Sequence, residues 1–185
     1  SRRAPRNLQR HRSRRRRIHL DARAVRLPPT QSEEGLSDWY RRQFAAADAA
    51  TFSELVGALT RADQPDYVSV LTTANGTAPA PFTVFAPTNQ AFADLYAELG
   101  VAGIDDVDGA ILTATLNTHV VAGANVRAED LVTGTVATLG DAVEIDATTA
   151  IITDPNGRTS QVIVTNVQAA NGVIHAIDTV LLPQL

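Results

Sequence analysis

The chain has 185 residues, 44% of them apolar, which suits one ordinary domain with an appendage. Cysteine and methionine are absent and all sixteen basic side chains are arginine, so disulfides, thiolate metal sites and cysteine nucleophiles are excluded. The net charge of −4 hides a division: residues 1–50 carry 13 Arg against 5 acids, whereas residues 51–185 carry 3 Arg against 15 acids, so only the N-terminal part can attract nucleic acid or anionic lipid.

Residues 1–36 have almost no apolar periodicity and contain Arg14-Arg15-Arg16-Arg17, with Pro28-Pro29 near the end. Such a stretch cannot bury enough surface to offset its ordering entropy, so a disordered tail is expected. Ser1-Arg2-Arg3 resembles the start of a twin-arginine export signal, but no apolar run follows it. The tail reads equally as an arginine anchor for polyanions, as a processed leader, or as a cloning or reading-frame remnant. A fourth reading docks this net +8 segment onto the net −12 remainder. It carries no aromatic side chain on which bases would stack. No run in the chain approaches the roughly 20 apolar residues of a transmembrane helix.

A short helix is expected over 37–50, with Ser37 as cap and Trp39, Tyr40, Gln43 and Phe44 along one side. Thr51-Phe52-Ser53-Glu54 reads as a capping box, and Phe52, Leu55, Val56 and Leu59 then recur at helical spacing. A second helix fits 66–74, with Tyr67, Val70, Leu71 and Ala74 inward and Asn75-Gly76 as its stop. Residues 82–85 form a short strand ended by Pro87, and Thr88 caps a helix whose stripe is Phe92, Leu95, Tyr96 and Leu99. Another helix is expected over 106–117, followed by the β-branched run His119-Val120-Val121. Strands then fit 135–139, 142–145, 150–153, 161–166 and 173–182, with turns at Asp154-Pro155-Asn156-Gly157 and Asn171-Gly172. Helices before strands argue for an α+β fold over residues 51–185.

Three segments carry a family likeness. Thr83-Val84-Phe85-Ala86-Pro87-Thr88-Asn89-Gln90-Ala91-Phe92 and Gly172-Val173-Ile174-His175-Ala176-Ile177-Asp178-Thr179-Val180-Leu181-Leu182-Pro183 resemble the two signature boxes of the fasciclin (FAS1) family. Between them, Leu116-Asn117-Thr118-His119-Val120-Val121-Ala122-Gly123 resembles its central segment. The resemblance implies a seven-stranded β wedge flanked by several α-helices, a bacterial-type single-domain member, and a role in adhesion or attachment without a cofactor. Phe85, Pro87, Thr88, Phe92, His175 and Asp178 then stand as fold determinants. Animal members of the family use a Tyr-His pair in the central segment and a nearby Asp-Ile segment to bind integrins. Here position 118 is Thr, which shifts the expectation toward another surface ligand, with Thr118, His119, Asp130 and Leu131 as the contact candidates.

Chemistry finds little support in the residues. His119 and His175 are the histidines of the domain, and neither belongs to a cluster with metal-ligand spacing, so structural roles are expected and no metal. No Gly-x-Ser-x-Gly elbow or phosphate-binding glycine loop is present. Asp105-Asp106-Val107-Asp108-Gly109 faintly resembles a calcium loop but lacks the ligand order of one. Helix capping accounts for these acids more simply. Asn75-Gly76-Thr77 is a glycosylation sequon that matters only in a eukaryotic secretory pathway. The expectation is therefore a secreted, periplasmic or cell-surface module, monomeric, not an enzyme and without cofactor. Its partner would be a surface or matrix protein or polysaccharide. The alternatives are a carrier of small apolar ligands or lipid, and a polyanion binder acting through Arg14, Arg15, Arg16 and Arg17.

Overall fold

The computed structural model describes residues 51–184. The expected tail, with Arg14–Arg17, and the expected helix over 37–50 lie outside the described residues.

The domain opens with α1 (Ser53–Thr60), which buries Leu55, Ala58 and Leu59 together with the preceding Phe52. The expected capping box is not formed. The N-cap position is Phe52, which supplies no side-chain cap. Asn89 provides the cap from elsewhere: its Oδ1 accepts the Glu54 amide at 2.9 Å and its Nδ2 donates to Ser53 Oγ at 2.9 Å. Glu54, freed from the box, accepts the Tyr96 hydroxyl at 2.8 Å. A long-range cap has replaced a local one, tying α1 to the helix that follows the first strand.

Helix α2 (Tyr67–Leu71) is capped by Asp66, which accepts the Ser69 amide, and it ends three residues before the expected stop. The Asn171 side chain takes the Leu71 and Thr73 carbonyls, both at 2.8 Å, which accounts for the early end and leaves Ala74 exposed. Strand β1 (Phe82–Pro87) is buried throughout and includes Pro87. Thr88 then caps α3 (Asn89–Leu99), its hydroxyl accepting the Ala91 amide. Phe92, Leu95 and Tyr96 are buried as expected, whereas Leu99, in the last turn before the left-handed cap Gly100, is exposed. A 3-10 turn (Ile104–Asp106) precedes α4 (Gly109–Thr118), whose cap is Asp108, bonded to the Ala110 and Ile111 amides. The helix thus begins three residues later than expected, and of the acids at 105–108 it is Asp108 that caps it, while Asp106 accepts the Ala102 amide.

The sheet has the order β2-β1-β7-β6-β5-β4-β3, with β2 (Val120–Ala122), β3 (Gly134–Val136), β4 (Val143–Asp146), β5 (Ile151–Thr153), β6 (Thr159–Ala169) and β7 (Gly172–Ile177). β1 and β7 pair in parallel and the other neighbours are antiparallel. The apolar run expected as one strand over 173–182 stops pairing at Ile177. Val180, Leu181 and Leu182 remain buried in an extended tail beyond it. The β6–β7 register shifts twice, between Val162 and Val167, where Asn166 takes a φ of +60°. Asparagine tolerates that conformation better than a branched residue.

Side-chain alternation along β1 and β7 divides the interior in two. Phe82, Val84, Ala86, Ile174 and Ala176 face the helices. Phe85 and Ile177 face the other way and join Val121, Val143, Ile145, Ile152, Val162 and Leu181 inside the wedge. Strands covered on both faces read as continuous apolar runs, as these do.

Candidate functional site

The two histidines anchor the wedge interior. His119 is buried, with Nδ1 donating to the Thr115 carbonyl at 2.7 Å and Nε2 accepting the Leu181 amide at 3.0 Å. Those partners set the tautomer, and burial pushes its pKa down to about 4, so the ring is neutral. His175 is equally buried: Nε2 donates to the Val126 carbonyl at 2.9 Å and Nδ1 accepts the Asn166 amide at 3.4 Å. Burial lowers its pKa as well. Phe85 lies between them, its amide on the His119 carbonyl and its ring 6.0 Å from that of His175. Each ring nitrogen is spent within the fold, which leaves neither histidine free as a base or ligand.

Over this interior runs the segment 123–133, fastened at several points. The Thr83 hydroxyl donates to the Ala124 carbonyl and accepts the Val126 amide, both at 2.9 Å. His175 holds Val126, and Asn166 holds the 3-10 turn Ala128–Asp130 through the Ala128 amide and the Glu129 carboxylate, both at 2.8 Å. Beyond these ties the segment rises as a lip. Asp130 is exposed, Leu131 packs half-buried on the wedge core, and Val132 is 77% exposed. Behind the lip lies an open cleft of about 270 Å³ whose floor includes Phe85, Val121, Val126 and Ile145, and whose far wall is β3.

The expected contact residues therefore separate. Thr118 is fully buried, its hydroxyl donating to the Ala114 carbonyl and receiving the Asp141 amide. With His119 it lies in the interior and offers no side chain to the surface. Asp130 and Leu131 line the cleft. Phe85 and Phe92 are core side chains, and Pro87 and Thr88 form the corner between β1 and α3. Asp178 accepts the Gln161 amide at 2.8 Å and the Ser160 hydroxyl, bracing the end of β7 against β6. Arg14–Arg17 lie outside the described residues.

Sequence reasoning missed Val132, Thr83 and Asn166. Val132 fits no helical or strand stripe, and an apolar residue unclaimed by any stripe was the available signal. The roles of Thr83 and Asn166 arise from pairings 38 to 43 positions away and left no local trace.

Among the described residues no three His, Asp or Glu side chains converge to hold a metal. The acids at 105–108 surround Arg61, which forks onto Asp63 and donates to the Ile104 and Val107 carbonyls. No helix among the described residues is long and apolar enough to cross a membrane.

A family model described as the fasciclin domain matches residues 50–183. Protein sll1483 of Synechocystis is 38% identical over 142 residues, covering 76% of this chain and 72% of that protein. The cell surface glycolipoprotein MPB83 of Mycobacterium bovis is 35% identical over 143 residues, and the match spans 75% of this chain and 59% of MPB83. Among solved structures, a FAS1 domain pair from the insect cell adhesion molecule fasciclin I superposes with a TM-score of 0.52 at 19% identity, over 76% of this chain and 48% of that one. That last likeness concerns the fold alone.

Proposed function

The chain belongs to the fasciclin domain family, and from that premise we propose that it is a non-catalytic contact module of the cell surface or its surroundings, binding through the lip at Asp130, Leu131 and Val132. The observation that carries this reading is the 77% exposure of Val132 on a segment otherwise pinned by Thr83, His175 and Asn166. An apolar side chain presented on a rigid mount loses little conformational entropy when a partner covers it. The kinship with a mycobacterial cell surface glycolipoprotein supports the location. The partner is a surface or matrix protein or polysaccharide.

The size of the cleft argues against a lipid carrier. Pockets that enclose drug-sized ligands run from about 300 to 1,000 Å³ and bury most of the ligand. A cleft of 270 Å³ open to solvent instead suits one or two side chains of a macromolecular partner. The test is retention of cells of the producing organism on a surface coated with the full chain. Changing Val132 to Ser should cut retention several-fold, and equal retention by the two proteins would remove the lip from the contact.

A further inference from the structure

The same cleft has a second feature that an aliphatic lip alone does not require. Of the two terminal strands of the sheet, β2 is covered, because its Val120 carbonyl accepts the Leu139 amide at 2.8 Å. β3 is paired with β4 on one side, and no backbone bond of residues 132–137 reaches any other described segment. An unpaired edge is a template for another extended segment, especially beside pockets that can receive its alternate side chains. The rim carries an acid as well: Asp130 lines the cleft, and outside the lining Glu144 of β4 accepts the hydroxyl of the wall residue Thr135. The nearby Arg127 lies 3.8 Å from Glu129 and does not offset these two.

One part of the chain matches all three features. Arg14-Arg15-Arg16-Arg17 runs directly into Ile18-His19-Leu20-Asp21-Ala22, where Ile18, Leu20 and Ala22 alternate with polar residues at strand period. Its charge is opposite to that of the rim. The 28 residues from 23 to 50 separate it from the domain. Fully extended they reach roughly 90 Å, several times the ~14 Å radius of gyration of a domain this size, so length sets no obstacle.

We infer that residues 14–22 add as a strand to the free edge of β3 in the same molecule, with Ile18 and Leu20 in the cleft and the arginines against Asp130 and Glu144. The inference rests on the cleft's being the contact site, and it makes the chain's own tail a competitor for that site. A surface partner must displace the tail, so binding is weaker with the tail docked than without it. Added salt loosens the arginine contacts as the Debye length falls from about 10 Å at 0.1 M to about 3 Å at 1 M, and so frees the cleft.

Amide hydrogen exchange on the full chain tests this directly. The outward amides of β3 should exchange about tenfold faster in Ile18→Asp/Leu20→Asp than in the unaltered protein, and those of β7 at the same rate. In the unaltered protein, 1 M salt should narrow the difference. Equal exchange in the two proteins overturns the inference. Protection that rises with protein concentration overturns it also, since the occupant would then be another copy. The contact reading stands apart: Val132→Ser reports on surface retention whatever the tail does. Lost retention with equal exchange removes the self-docking alone, whereas unchanged retention with faster exchange removes the lip's role in surface contact alone.

Discussion

The pH response of this domain is concentrated in two imidazoles. His119 titrates near 6.5 when unfolded but near 4 in the fold, because burial disfavours its charged form. Between those values the unfolded chain binds the extra proton, so stability is full above about pH 6.5 and falls as the pH drops toward 4. His175 is shifted the same way and adds to the loss. A difference of this size corresponds to at most about 3 kcal/mol for His119. The carboxylates do not confuse the window: Asp63, held near 2 by Arg61, and Asp66, Glu129 and Asp146, also lowered, contribute losses at still lower pH. Urea midpoints should therefore fall between pH 7 and pH 4.5 in the unaltered protein. They should fall much less in His119→Ala, which starts lower by about 3 kcal/mol for the stranded Leu181 amide and Thr115 carbonyl. A flat profile in the unaltered protein would contradict the burial assigned to these rings.

Among the elements, two sites show what the local sequence cannot convey. The Thr51–Glu54 pattern has the composition of a capping box, yet the cap comes from Asn89, 35 positions away. Replacing Asn89 with Ala should cost about 1 kcal/mol, the usual loss of a helix cap, measurable as a lower denaturation midpoint. Gly172 is the second site. It reads as half of an Asn-Gly turn, but its demand comes from β1. A Cβ there would overlap the Phe82 backbone, whose carbonyl carbon and nitrogen both lie at 2.9 Å. Gly172→Ala should destabilise the fold by about 3 kcal/mol, near the upper end of overpacking costs, by prising β1 from β7. A change below about 1 kcal/mol would show that this parallel pair gives way easily. Elements with a periodic stripe, such as α1, α3 and the β1 and β7 runs, were legible because their burial follows period. Ends were not: α2 stops at Leu71 because Asn171 takes its carbonyls, and β7 stops at Ile177 although its apolar residues continue.

For the whole molecule, the three motif segments prove to be one structural unit. The first supplies β1 and the corner into α3, the last supplies β7, and the middle one supplies His119 between them, its ring bonded to Leu181 and its carbonyl to Phe85. Their agreement with the fasciclin family made the fold readable from the sequence. Of the four expected contact candidates, Asp130 and Leu131 line the cleft, while Thr118 and His119 lie buried in the interior. The motif residues mark where the fold is fixed, whereas Val132, which belongs to no motif and no stripe, is left exposed and is the residue we propose for contact. The division between a basic N-terminal part and an acidic domain was plain from composition.

On the proposed function, contact and stability reside in different residues of one wedge. The most direct measurement pairs cell retention with thermal melting for Val132→Ser and His119→Ala, assayed well below both midpoints. Val132→Ser should lose retention with its midpoint almost unmoved. His119→Ala should retain cells normally while melting roughly ten degrees lower, the shift expected of about 3 kcal/mol in a domain this size. Normal retention by Val132→Ser, or lost retention by a folded His119→Ala, would contradict the proposed function.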